Sequence, residues 1–233
     1  MTREVAVTTL AERNGEPVMN PLRSTLPVAT VLVAALLATG GPAQATVQSD
    51  VKAAKAALTQ ATTRAKADDV AGTTSALATV RSHTKKANTG AQALIGAPPT
   101  DPESDDVPGP PAVTAALKLD AAVVKALAPV VKGSPARLVK ALDATLLAAQ
   151  KSRMPMLKQV AALPPEGGGA DYADGMADTL TLFANEVKVL TTALQAAPAT
   201  GAVHTALQKA QTRAKQAKAI VDKAFGGGER PAP

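Results

Sequence analysis

A chain with no cysteine, no tryptophan, one tyrosine and two phenylalanines has to build its core from alanine, leucine and valine. Without cysteine it has no disulfides, thiol nucleophiles or thiolate metal sites. The large burial that aromatic rings bring is almost missing. Alanine favours helix more than any other residue but hides little area, so local propensity carries much of the order. The expectation is an all-α protein of thin, closely approaching helices with modest stability.

Leu26 to Ala45, LPVATVLVAALLATGGPAQA, reads as an address. Its apolar run, Leu26 to Ala38, is about 13 residues, the length of a signal-peptide core and short of the roughly 20 that span a bilayer. Gly40, Gly41 and Pro42 end any helix there. Ala43-Gln44-Ala45 is a small-x-small cleavage signature, with Arg23 as the positive flank. Residues 19–45 are therefore expected to be a cleavable Sec-type signal peptide, with Ala43 and Ala45 as its cleavage signature. No Arg-Arg pair precedes the run, which argues against twin-arginine export. The expected product is a secreted or cell-envelope protein with no transmembrane anchor after cleavage. Residues 1–18 carry Glu4, Glu12 and Glu16 where a positive flank belongs. They read as an extension that export does not need, or an upstream misreading of a start at Met19.

The first 45 residues hold three arginines and three glutamates, so the net charge of +6 belongs to the remainder. There, apolar residues recur at steps of three and four. Val47, Val51, Ala54, Leu58, Ala61 and Ala65 mark a first helix, interrupted by Asp68, Asp69 and Gly72. Leu77, Val80, Ala87, Ala91 and Leu94 mark a second. Residues 96–111, GAPPTDPESDDVPGPP, form a proline-rich acidic loop, because proline blocks helix and ladder bonds and the carboxylates repel one another. Val113, Leu117, Val124, Leu127 and Val131 begin a third helix, with Pro110 and Pro111 in its first turn. Gly133-Ser134-Pro135 then stops one helix and restarts the next, with Ser134 as N-cap. Leu138, Leu142, Leu146, Ala149, Leu157 and Val160 follow, and Pro155 is expected to kink or break that helix. Residues 164–169 are a second break.

The closing stretch has the strongest pattern. Tyr172, Met176, Leu180, Phe183, Val187, Leu190 and Leu194 alternate four- and three-residue steps, as do Val203, Leu207, Ala210, Ala214, Ala217, Val221 and Ala224. Two such stripes joined at Pro198–Gly201 imply an antiparallel, coiled-coil-like pair. Residues 226–233 read as a disordered tail. Thr63-Arg64-Ala65-Lys66 matches Thr212-Arg213-Ala214-Lys215, but that register conflicts with the pairing of Leu77 with Leu207. No internal repeat is inferred.

Candidate chemistry is sparse. His83 and His204 lie on separate helices, short of the three or four ligands zinc needs. Asp171, Asp174 and Asp178 share one helix face. They read first as helix N-terminal carboxylates and second as a site for a basic partner. Asp101, Glu103, Asp105 and Asp106 lack the glycine and the final glutamate of a calcium loop. Lys209, Arg213, Lys215, Lys218 and Lys223 make the last helix basic, either as a solvated face opposite the acidic helix or as a surface for anionic envelope polymers. Nucleic acid is not expected as a partner, since no aromatics interleave with Lys209–Lys223 to stack on bases and the chain is expected to be exported. No G-x-S-x-G elbow, phosphate-cradling glycine loop or H-E-x-x-H occurs.

Tyr172–Phe225, with its exported, alanine- and lysine-rich helices, resembles the closing half of the periplasmic b-type and c-prime cytochrome bundles. The likeness covers about a quarter of the chain. It implies a shared bundle architecture, with haem held near the end of the last helix by histidine and, in the c-prime type, by C-x-x-C-H. Lys215–Phe225, KQAKAIVDKAF, has neither Cys nor His, so the haem does not carry over.

Together these features predict an antiparallel bundle of four to six helices over residues 46–225. The expected function is a non-enzymatic binding or structural role outside the cytoplasm, with no cofactor. The alternatives are a carrier of a small apolar ligand, its cavity lined by Met154, Met156, Met176 and Phe183, and a binder of anionic envelope polymers. N-terminal sequencing of the protein from its host's culture is expected to begin Thr46-Val47-Gln48. Deleting residues 1–18 should leave export unchanged.

Overall fold

The computed structural model describes residues 42–97, 107–164 and 170–225, and these are all-helical. The apolar run, most of the acidic loop and the tail lie outside the described residues. Six helices follow one another: α1 (Pro42–Lys66), α2 (Val70–Ala93), α3 (Gly109–Gly133), α4 (Ala136–Ala161), α5 (Ala170–Gln195) and α6 (Ala202–Phe225). None of these helices is long and apolar enough to cross a membrane.

The helices pair as three hairpins, α1–α2, α3–α4 and α5–α6. The hairpins stand side by side, so that α1, α3 and α5 form one layer and α2, α4 and α6 the other. Within a layer the helices run parallel. Arg81 of α2 reaches Thr145 of α4, and two turns on Asn88 reaches Ser152. The expected bundle is thus a row of hairpins in two layers. The last pair is not a free-standing coiled coil, because α6 also packs along α4 and α5 along α3.

Residue choice explains the turns. Asp68 takes a left-handed φ of 55° between α1 and α2, a conformation that aspartate tolerates better than most residues. Asp69 then caps α2, its carboxylate accepting from the Gly72 amide at 2.8 Å. Gly201, at φ 96°, supplies the corresponding turn before α6. Ser134 departs from expectation. Its hydroxyl donates to the Val130 carbonyl at 2.6 Å, so it serves the end of α3, and α4 begins after an extended Pro135 with no side-chain cap. Pro155 also departs: α4 runs through it without interruption. Pro42, read as a stop, is the first residue of α1, where its missing N–H costs nothing.

The core lies between the layers and joins all three hairpins. Along the inner faces of α2, α4 and α6, four sets of buried residues recur at one fixed spacing. They are Leu77, Leu142 and Leu207; Val80, Thr145 and Ala210; Thr84, Ala149 and Ala214; and Ala91, Met156 and Val221. The hairpins therefore repeat in geometry, without a sequence repeat behind them beyond the shared Ala-Leu. The register pairing Leu77 with Leu207 is the one the fold uses. The competing match set α1 against α6, which lie in opposite layers.

Gly109 opens α3 where the chain passes Tyr172. A Cβ there would collide with the Tyr172 hydroxyl and lie 2.6 Å from the Leu94 carbonyl oxygen. Overpacking of this kind costs about 1–3 kcal/mol, so Gly109→Ala is expected to lower stability by that amount in urea unfolding. Gly133→Ala, where nothing lies within 4 Å of a new Cβ, should change it by less than ~0.5 kcal/mol.

Candidate functional site

The most distinctive chemistry is a polar network buried between the layers. Arg153 of α4 and Glu186 of α5 are both closed off from water. Arg153 donates from Nη1 to Glu186 Oε2 at 2.7 Å and from Nη2 to Oε1 at 2.8 Å, a bidentate pair. Its guanidinium also lies 4.6 Å from the centre of the Phe183 ring, close enough for a cation–π contact. Gln150 donates to Glu186 Oε1 at 2.8 Å and to the Ala210 carbonyl at 2.9 Å, and its own oxygen accepts from Arg213 Nε at 2.8 Å. Arg213 reaches Asp143 at 3.7 Å. Burial pushes the Arg213 guanidinium pKa down, and Asp143 pulls it back up.

A second limb joins the first hairpin. Asn88 Nδ2 lies 3.0 and 3.1 Å from the two Asp120 carboxylate oxygens and 2.7 Å from Ser152 Oγ. Asp120 is fully buried. Burial raises its pKa well above the usual carboxylate value, against the opposing pull of Arg153 and of the Asn88 hydrogen bond. Among the described residues, Asn88 Oδ1 and Arg153 Nε have no partner.

Sequence reading missed this network, although a signal was present. Asp120 stands on the Leu117–Val124 stripe, Arg153 between Ala149 and Leu157, and Glu186 between Phe183 and Leu190. A charged residue at a core position of a helical stripe needs a buried partner.

Two surface grooves reach this network from opposite layers. One, of about 460 Å³, runs between α3 and α5, with Lys118, Lys125 and Lys188 on its rim and Glu186 in its lining. The other, of about 580 Å³, runs between α2 and α4, lined by Arg81, Lys85, Lys151 and the Ser152 hydroxyl that Asn88 holds. Among the described residues no carboxylate lies within ion-pair distance of Arg81, Lys85 or Lys151.

The residues singled out from sequence are dispersed. On α6, Lys209, Lys215 and Lys223 are exposed. Lys218 pairs with Asp222 at 2.5 Å, and Arg213 turns inward to Gln150. Asp171 is exposed, and the Asp174 side chain lies outside the described residues. Asp178 pairs with Lys118 of α3 at 3.8 Å. His83 pairs with Asp50 at 2.7 Å across the first hairpin. Ala43 and Ala45 are exposed in the first turn of α1, one turn before the buried Val47. Met156, Met176 and Phe183 are buried in the core, and Met154 packs against it.

Compared with protein-family models, curated proteins and solved structures, the chain matches none of them.

Asp120 supplies a test of the network. Its folded pKa lies above the unfolded one, so the stability it lends is complete below the ordinary carboxylate range. That stability is lost as pH rises through the raised folded value. Asp120→Asn cannot ionise and escapes the loss. Urea unfolding across pH should show the variant gaining on the wild type as pH rises, and a difference that stays flat contradicts the assignment.

Proposed function

We propose that this chain is an exported, non-enzymatic binding protein that holds an anionic polymer of the cell envelope or its surroundings. The observation that carries this reading is the lining of the α2–α4 groove: three cations and no neighbouring carboxylate among the described residues. A groove that gathers lysine and arginine focuses positive potential and raises the local concentration of negative charge. The export segment supports the choice of partner, since it sends the chain to where charged polymers of the envelope are found. The buried Arg153–Glu186 pair supports a structural role for that network, because its carboxylate is taken up by two bonds from Arg153 and one from Gln150.

An apolar carrier is the weaker reading. Met156, Met176 and Phe183 are packed within the core, and a cation covers one face of the Phe183 ring.

The purified protein is expected to be retained on immobilised dextran sulfate at low salt and to pass through neutral dextran. Engagement of about three to four cations gives a log affinity against log salt slope of roughly −3. Absence of retention on any polyanion at low salt would overturn the proposal.

A further inference from the structure

We infer that the α2–α4 groove is the seat of that polymer, and that it takes an anionic polyol chain, with phosphate or sulfate groups carried on a hydroxylated backbone. The inference rests on the binding role just proposed and goes further by naming the site and the ligand chemistry.

The cations stand in a defined order along the groove. Arg81 and Lys85 follow one another up α2, one turn apart, which is about 6 Å of axial rise. Lys151 stands on the facing wall, next to the Ser152 that Asn88 holds in register. A flexible chain with a negative group every ~6 Å meets Arg81 and then Lys85 on one wall, with Lys151 reaching it from the other. Arg81 is already held in place, with its Nη1 at 3.3 Å from Thr145 Oγ1 and 3.5 Å from the Ala141 carbonyl. A cation fixed before binding loses less freedom when the ligand arrives.

The neutral groups specify the backbone. Thr89 and Gln92 line the same groove and offer hydroxyl and amide contacts. Pro155 lies in the lining beside Lys151 and has no N–H. The Lys151 carbonyl therefore lacks its intrahelical donor and is an acceptor for a ligand hydroxyl. A sulfate ion has no hydrogen to donate to that acceptor, but a polyol has.

The opposite groove fits an anion less well. Lys118 on its rim is already paired with Asp178. Nucleic acid fits the α2–α4 groove less well than a polyol, because no aromatic side chain lines it for base stacking.

The test compares two charge-matched double variants of the full chain, with circular dichroism confirming that each remains folded. Lys85→Glu with Lys151→Glu alters the groove, and Lys209→Glu with Lys215→Glu alters exposed α6. Binding to dextran sulfate and to polyglycerol phosphate is measured by titration calorimetry at low salt. The groove variant is expected to lose about tenfold or more in affinity and the α6 variant less than about threefold, with the salt slope reduced chiefly in the former. Equal losses in the two variants overturn the groove assignment while leaving the polymer-binding role standing. A wild type that binds neither polymer overturns both. A thymidylate oligomer bound as tightly as polyglycerol phosphate overturns the polyol assignment. Pro155→Ala returns an amide to the Lys151 carbonyl and should weaken polyglycerol phosphate binding severalfold, with little effect on binding of inorganic sulfate. Unchanged affinity overturns the role given to that carbonyl.

Discussion

The stack depends on the Arg153–Glu186 pair. Both side chains are removed from water, and each ion loses several kcal/mol of solvation in the process. The two parallel hydrogen bonds, the Gln150 amide and the Phe183 ring offset that loss, which makes the complete set tolerable but any part of it unstable. Removal of one partner would strand the other charge at a cost of about 3–5 kcal/mol. The pair is thus weak evidence for net stability and stronger evidence for register. Hairpins built from alanine and leucine present similar surfaces at every turn, and a slide by one turn would leave these charges unpaired. The Asn88–Asp120 limb imposes the same constraint between the first and second hairpins. Buried polar groups therefore fix what the apolar residues leave degenerate.

Alanine makes that degeneracy, and it also sets the spacing. Ala210, Ala214 and Ala217 occupy core positions on α6, between the larger Leu207 and Val221. Small residues on one helix let bulky ones on the next interdigitate at native density. The scarcity of aromatics is met in part by placing Tyr172 and Phe183 where they cover much at once. Tyr172 covers the close approach at Gly109, and Phe183 covers the flank of the buried guanidinium.

The helices were legible in the sequence because the relevant physics is local. Proline, glycine and aspartate marked most of the ends, and the stripes through Leu77, Leu142, Phe183 and Leu207 named mostly core positions, although Ala224 is exposed and Leu180, Val187, Leu194 and Val203 are half-buried. Ser134 misled, since a hydroxyl between two helices can serve the carbonyls behind it as well as the amides ahead. The stacking of the hairpins was not legible. It rests on burial positions whose identities change from Val80 to Thr145 to Ala210, and only the Ala-Leu at 76–77, 141–142 and 206–207 stays the same in all three. The groove was also out of reach. Arg81, Lys85 and Lys151 are ordinary exposed residues until α2 and α4 lie parallel, whereas the lysines of α6 drew attention because they crowd together along the chain.

That contrast bears on how such a fold creates a binding surface. The ridge of one helix cannot close against its parallel neighbour where the outward residue is as small as Ala148, so a furrow remains between them. Lysine stems suit its edges, since their methylenes cover apolar backbone while the ammonium groups stay in water. The residue that favours helix and thins the core therefore also opens the groove, and the buried network at its base holds the two walls at one register. A charge row on a single helix, such as Lys209 and Lys215, has no second wall and presents its ammonium groups in one line to open solvent. Two walls let a polyanion meet cations from both sides and lose more of its hydration, which strengthens each contact as the local dielectric falls. By this argument the number of grooves grows with the number of hairpins, and the pattern of unpaired cations decides which groove serves for binding.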